Sequence, residues 1–373
     1  MPVRFFRQID WVLLLSVVPI ILAGLVTMNT FEANNYFFIR QLVWVSISVV
    51  VFFGMSAIDW RFLKYSNSGF YTYLALLALL LALFLGTAIN GARSWILLPG
   101  FSLQPGDFMK IVLIVLLAKY FSRRHIEIAR LRHIIVSGLY ALVPFILIAA
   151  QPDLGTAAII FFIWLGLVVV SGIPIRYLAL VGTIVLVVVA LAWQFGLGDY
   201  QKDRVLIFID PLRDPQGAGY NAIQSQIAVG SGQVIGKGVG FGTQSRLEFL
   251  PELETDFIFA AFAEEWGFVG VGILLALYAV IFIRLTQAAL AGASNFESLF
   301  IMGYALFLFG HVLVNVGMNV GLMPITGIPL PFMSYGGSHL LVEFTGLGMV
   351  MGMRRYARAT VHNAEHEFIA SHS

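Results

Sequence analysis

The sequence contains no cysteine, so disulfides, thiolate metal sites and cysteine nucleophiles are excluded whatever the compartment. Charge is scarce too. Asp, Glu, Lys and Arg make up 11% of the 373 residues, against about 25% in an average soluble domain. The formal net charge is +2, and no concentrated basic face exists for a phosphate backbone, which argues against a nucleic-acid partner. Apolar residues are what the chain has in excess: 59% of the composition and a mean hydropathy of +0.89. No aqueous fold could hide that much apolar surface.

The first apolar run, Trp11 to Met28, follows Arg4 and Arg7. It is too long for a signal-peptide core and lacks a small-x-small cleavage site, so it is expected to be a retained span. A bilayer core of about 30 Å takes roughly 20 apolar residues per helix. Candidate spans are 11–28, 41–58, 70–88, 106–121, 134–150, 154–171, 175–196, 257–283, 298–322 and 340–353. The expected fold is an all-α polytopic membrane protein of about ten transmembrane helices. With the N-terminus inside, the inner segments carry Arg61, Lys64, Lys119, Arg123, Arg124, Arg130, Arg132, Arg176, Arg284, Arg354, Arg355 and Arg358. The short outer loops hold Arg40 and Arg93, so the positive-inside bias places both termini in the cytoplasm. Residues 1–373 are expected to form a single transmembrane domain, with 354–373 a short cytoplasmic tail. Residues 197–256 make a large outer loop between helices 7 and 8, too long for a plain connector and expected to contain short interfacial helices.

Polar residues gather at the outer ends of the spans, where ionisable groups mark function by default. The first cluster runs from Asn90 through Arg93 and Trp95 to Gln104, Pro105, Asp107 and Lys110. Asp107 and Lys110 stand three apart on one helix face, which suits either a satisfied ion pair or a cationic lip for a lipid phosphate. Trp95 is either an interfacial anchor or part of that lip. The second, Gln151-Pro152-Asp153-Leu154-Gly155-Thr156, is a tight turn in which Asp153 suits an N-cap. The third is Gly-rich, Gly230 to Gln244 with Lys237, followed by Leu250 to Phe259 with Asp256. It lacks the spacing of a nucleotide phosphate loop, although glycines permit close backbone approach. Asp256 or Thr255 suits a cap of the eighth helix. Glu264 and Glu265, further along that helix, require partners, expected to be Arg or Lys of neighbouring spans. The fourth, Pro324 to Ser338, has too many prolines and glycines for regular helix and suits a cavity wall. Gly303, Gly310 and Gly317 recur every seven residues, for packing against a partner or within the chain.

These clusters, in this order and on this side, resemble the SEDS family (shape, elongation, division and sporulation), and the short ends look more like its RodA branch. The resemblance carries over nearly the whole chain. It implies a peptidoglycan glycosyltransferase that polymerises lipid II at the outer face of the bacterial cytoplasmic (inner) membrane, for cell-wall elongation and cell shape. It places the family's essential acidic residue at Asp256 and its functional outer-loop Trp at Trp95. It also implies a class B penicillin-binding protein (a transpeptidase) and elongation-machinery membrane proteins as partners. The sequence departs from the usual pattern at Gly106-Asp107, commonly Ser-Glu, at Glu254, commonly His, and at His339, often Ser.

Such a polymerisation needs a base for the attacking sugar hydroxyl and cations for a departing lipid diphosphate. Asp256 is the expected base, or the holder of a divalent cation such as Mg or Mn. Arg93, Lys110, Lys237, Arg204 and Arg246 are the candidate diphosphate ligands, with Trp95, Gln104 and Asp153 completing the substrate-binding set. A lipid II flippase is the alternative, but it would need polar groups leading inward, and here they concentrate outside.

Overall fold

The computed structural model describes residues 9–31, 36–86, 94–98, 101–123, 131–196, 198–214, 217–246 and 252–372. Among these, ten long helices correspond one to one with the expected spans. They are α1 Trp11–Met28, α2 Tyr36–Ala57, α3 Ser68–Ala82, α4 Pro105–Ser122, α5 Leu131–Ala149, α6 Leu154–Val170, α7 Ile175–Leu191, α8 Ile258–Leu290, α9 Asn295–Asn319 and α10 Gly337–His372. Seven helices are long and apolar enough to cross a membrane, and α6 is a shorter apolar one. The remaining two, α4 and α10, carry internal charge: Asp107, Lys110, His339 and Glu343 are all buried. α10 continues to His372, so the expected tail extends the last span as helix over 354–372. An antiparallel ribbon not anticipated from the sequence, β1 Ile96–Leu98 with β2 Phe101–Leu103, leads into α4 and pairs Ile96 with Leu103.

The bundle is organised around α9, which packs on α4, α6 and α8. Two of its three heptad-spaced glycines, Gly303 and Gly310, serve these contacts within the chain, while Gly317 faces Met323 of the segment that follows. A side chain at Gly303 would collide with Ile114 of α4 and Leu167 of α6, and one at Gly310 with Phe162 and Ile159 of α6. α2 packs along α10, and α1 along α8. α7 stands apart: Val181 is its one buried residue, while Ile184, Leu186, Val187, Val188 and Val189 face outward, as lipid contact requires. On the cytoplasmic side Asp10 caps α1 through Leu13 N, pairs with Arg284 of α8 at 2.6 Å, and also pairs with Arg354 of α10. Burial pushes the Asp10 carboxyl up, but the two guanidinium groups outweigh it and hold it below the usual range.

The outer loop contains the short helices expected of it, Asp199–Ile209, Ala218–Ser231 and Thr243–Arg246. Its Gly-rich stretch folds down onto α8, which breaks at Gly267 (φ 65°). The break frees backbone groups that pair with the loop: Phe268 N donates to Gln233 O at 2.8 Å and Val269 N to Val234 O at 3.1 Å. In the other direction, Lys237 N and Gly238 N each donate at 3.0 Å, to Glu264 O and Glu265 O. A Cβ at Gly236 or Gly267 would run into the facing backbone, so glycine is required for this approach.

Candidate active site

Asp256 lies in a turn just before α8. Neither it nor Thr255 caps that helix: Phe257 occupies the cap position without a side-chain hydrogen bond, and Thr255 Oγ1 donates to Glu252 O instead. The Asp256 carboxylate is thus released from a capping role. It borders a cavity of about 350 Å³ together with Arg204, Glu252, Asn221, Gln226, Phe208, Phe257, Met318, Met323, Pro324 and Ile325. One wall is the loop helices Asp199–Ile209 and Ala218–Ser231, and the facing wall is the end of α9 and the segment after it. Asp256 Oδ2 lies against Gly327, 3.4 Å from where a Cβ would stand there, and the φ of 72° at that position favours glycine. Burial pushes the Asp256 carboxyl up to about 7; the negative charge of Glu252 adds to this and Arg204 opposes it. A carboxylate with that affinity for protons is matched to accepting one near neutral pH.

Residues 321–336 between α9 and α10 contain no helix. Buried backbone needs partners, and side chains from four spans supply them. Gln41 Nε2 of α2 donates to Ser334 O at 3.0 Å, and Tyr278 of α8 donates to Pro331 O at 2.5 Å. From α9, His311 Nδ1 lies 3.2 Å from Pro329 O, and Asn315 Nδ2 donates to Ile328 O at 2.7 Å. Phe332 N donates to Glu343 Oε2 of α10 at 3.0 Å. The segment also grips the Asp256 turn: Ser334 Oγ donates to Thr255 O at 2.6 Å and Tyr335 N to Glu254 O at 2.7 Å.

The other sequence-derived candidates are placed differently. Lys110 is not part of an open lip. It is buried in the bundle, 2.8 Å from Asp107 Oδ1 and 3.2 Å from His311 Nε2. Asp107 also accepts from Ser338 Oγ at 3.0 Å and lies 3.5 Å from His339, which is 2.9 Å from Glu343. Of the two readings of that spacing, the geometry is that of the ion pair. Lys237 is engaged by Glu264 at 2.6 Å; Glu264 Oε1 also accepts from Thr243 N at 2.9 Å. Glu265 accepts from Gly240 N and Thr30 Oγ1, each at 2.9 Å. Among the described residues, the partners of the two glutamates come from the folded-down loop, with Lys237 the Lys that pairs with Glu264, and from Thr30 just after α1. Asp153 caps α6 through Thr156 N at 3.0 Å and accepts from Gln104 Nε2 at 2.7 Å, joining the starts of α4 and α6. Trp95 is half-buried beside the ribbon. None of Trp95, Gln104, Lys110, Asp153 and Lys237 lines the Asp256 cavity; Arg204 does. Arg93 and the side chain of Arg246 lie outside the described residues. Glu252 stands in the third polar cluster without a site role there, and Asn315 and Asn319 are functional candidates that the sequence reading lacks. Two amides four apart on an apolar helix were the available signal for the last pair.

Residues 3–359 match the sequence model of the FtsW, RodA and SpoVE family, described as cell cycle protein. The chain belongs to this family. It is 38% identical over 320 residues to the peptidoglycan glycosyltransferase MrdB of Escherichia coli K12, covering 86% of each chain. Among solved structures it is similar to a chain described under structural coordination of polymerization and crosslinking by a peptidoglycan synthase complex. That match has a TM-score of 0.79 and 36% identity, covering 93% of this chain and 98% of the other. The rod shape determining protein RodA of Thermus thermophilus matches with a TM-score of 0.70 and 32% identity, covering 93% and 96%. The chain is accordingly a multi-pass protein of the bacterial inner membrane, and its RodA-like relatives fit the cell-shape branch.

Proposed function

We propose that this chain is a peptidoglycan glycosyltransferase that polymerises lipid II at the outer face of the membrane, with Asp256 as general base. The observation that carries the reading is a carboxylate tuned to about 7 in an outer cavity that also holds Arg204. The acceptor sugar's 4-hydroxyl oxygen forms a bond to the donor's anomeric carbon, and its proton passes to Asp256. The bond from that carbon to the lipid diphosphate breaks, and the diphosphate leaves with the electron pair. One such displacement inverts the anomeric centre. A diphosphate leaves without protonation by a second carboxyl group, provided its charge is stabilised. Arg204 is the cation that borders the cavity among the described lining residues.

A divalent cation suits the same place. Among the described residues no group of three or more His, Asp or Glu forms a ready cage. Mg²⁺, however, is commonly held by one or two carboxylates together with substrate phosphates. Asp256 and Glu252, which border one cavity, would hold it. When bound it would supply charge stabilisation to the leaving diphosphate. The chain's partner in cross-linking is a class B penicillin-binding protein in this reading, supported by the likeness to a chain of a polymerising and cross-linking complex.

The test is polymerisation of labelled lipid II by the purified chain, alone and with a candidate transpeptidase. The wild type should form glycan polymer, and Asp256→Asn should lose at least about 100-fold in rate, the scale of general base catalysis. Wild-type rates from folded Asp256→Asn protein would remove Asp256 from the chemistry.

A further inference from the structure

Two buried amides on α9 hold the base. Asn315 and Asn319 are four apart, on one face of the helix, and both are fully buried. Each donates from Nδ2 to the backbone carbonyl of Asp256 at 3.0 Å. A carbonyl oxygen has two lone pairs, so these donors saturate it. Asn315 Nδ2 also reaches Ile328 O at 2.7 Å, in the segment that faces the Asp256 carboxylate. Asn319 Nδ2 also donates to Asn315 O at 2.9 Å, while its own Oδ1 accepts from Ser225 Oγ at 3.0 Å. Ser225 belongs to the loop helix whose Asn221, Ala222 and Gln226 form the opposite cavity wall. The base, the segment facing it and the far wall therefore meet at two side chains.

The bond to the Asp256 carbonyl has a specific consequence for the side chain. α8 has no side-chain cap, and the Asp256–Phe257 peptide is held on its N–H side by one long bond, Phe257 N to Glu252 O at 3.4 Å. Fixing that carbonyl from outside fixes the peptide plane, and with it the direction in which the Cα–Cβ bond of Asp256 points. That direction brings Oδ2 against Gly327 and into the cavity. We propose that Asn315 and Asn319 are positioning residues for the polymerisation step, setting the Asp256 carboxylate in register with the substrate wall through the Asp256 carbonyl. The proposal rests on Asp256 being the base. Rate is sensitive to such register, because a misplacement of about 1 Å costs on the order of 100-fold.

The experiment compares purified Asn319→Leu, Asn319→Gln, Ser225→Ala and Asp256→Asn with the wild type for kcat and KM of lipid II polymerisation. Leu is an apolar side chain of similar branching, somewhat larger than Asn, and it removes the Asn319 donor while Asn315 stays. Asn319→Leu is expected to lower kcat about 10- to 100-fold with KM within about 3-fold. Ser225→Ala leaves both donors on Asp256 and is expected to keep kcat within about 3-fold. A folded Asn319→Leu protein with wild-type kcat overturns the proposal. So does a KM raised by more than about 3-fold along with the lowered kcat, which is the mark of a loosened cavity and not of a displaced base. Should the Leu protein not be recovered in a folded, monodisperse form, Asn319→Gln decides. Its displaced donor should cut kcat at least about 5-fold at unchanged KM, and wild-type kcat there refutes positioning. Asp256→Asn separates the two readings. Full activity in that variant removes the base itself, whereas an inactive Asp256→Asn beside a fully active Asn319→Gln removes only the positioning.

Discussion

Lys110 is the residue at which a substrate role and a structural role make opposite predictions. Its side chain is 1% exposed, and its ammonium contacts Asp107 at 2.8 Å and His311 at 3.2 Å. Replacing it by Met keeps the stem's volume but strips the charge. Asp107 is then left with Ser338 at 3.0 Å and the more distant His339 at 3.5 Å. Removing one member of a buried pair costs about 3–5 kcal/mol, because the other charge stays buried without compensation. At 2–4 °C per kcal/mol for domains of moderate size, the melting temperature should fall by roughly 10 °C. Replacing both members removes the uncompensated charge, and buried pairs replaced together are often close to neutral. Asp107→Asn with Lys110→Met should therefore recover most of the lost stability, while His339 and Glu343, 2.9 Å apart, remain a balanced couple beneath it. The assay is thermal unfolding in detergent alongside polymerisation measured well below the lowest melting temperature. An unchanged melting temperature in Lys110→Met with polymerisation abolished would refute the structural account and return Lys110 to the substrate.

Three further outcomes follow from the geometry. With Asp256 as the proposed base and no divalent cation added, kcat/KM should rise with pH through a midpoint near 7 and level off about a unit above it; Glu252→Gln, which removes the neighbouring negative charge that raises this carboxyl, should move the midpoint to lower pH, and an unmoved or higher midpoint assigns the acid limb to another group. Asp10→Ala removes the α1 cap and the pairs with Arg284 and Arg354, so about 2–3 kcal/mol should be lost from thermal stability while low-temperature polymerisation stays within a factor of a few; activity lost at full stability contradicts this. In α8, Gly267→Ala forces a Cβ into the Gly236 backbone at a positive φ and should sharply reduce folded yield, whereas Gly272→Ala meets nothing within 4 Å and should be neutral or stabilising by up to about 1 kcal/mol; equal yields would show that the loop does not dock there.

The ten spans were legible because a bilayer demands long apolar runs, and runs such as Trp11–Met28 and Leu154–Val170 contain no charged residue. The polar clusters were legible as locations for the same reason. Their purposes were less so, because spacing shows what a side chain can reach along its own helix and not what arrives from elsewhere. Asp107 and Lys110 could pair or face outward, and burial by α9 and α10 decided between the two. The glycines around Lys237 announced a close approach, but the surface approached is the broken backbone of α8, and the sequence does not set Gly267 apart from Gly270 and Gly272 in the same helix. Asp256 at a helix start suited a cap until the turn left Phe257 in that position. Asn315 and Asn319 bind a carbonyl some sixty residues away in sequence, at separations of 59 and 63, beyond the reach of any local pattern.

Charge accounting at the cavity leads to a last expectation. Lys110 is engaged by Asp107, Lys237 by Glu264, and Arg284 and Arg354 by Asp10. Around Asp256, Glu252 and Glu254 both act to raise its carboxyl and Arg204 acts against them. A lipid diphosphate entering beside these groups would add further negative charge, so like-charge repulsion should limit binding unless a counter-ion accompanies it. A divalent cation shared by the carboxylates and the diphosphate offsets both charges at once. The expectation can be checked without any turnover. Mn²⁺ titrated into the purified chain and followed by electron paramagnetic resonance should bind in the wild type and weaken at least about 10-fold in both Asp256→Asn and Glu252→Gln, the scale set by losing one ligand-side interaction. Mg²⁺ should compete for the same sites. Equal Mn²⁺ binding in all three proteins would place the ion elsewhere, and Arg204 would then remain the cavity's counter-charge among the described lining residues.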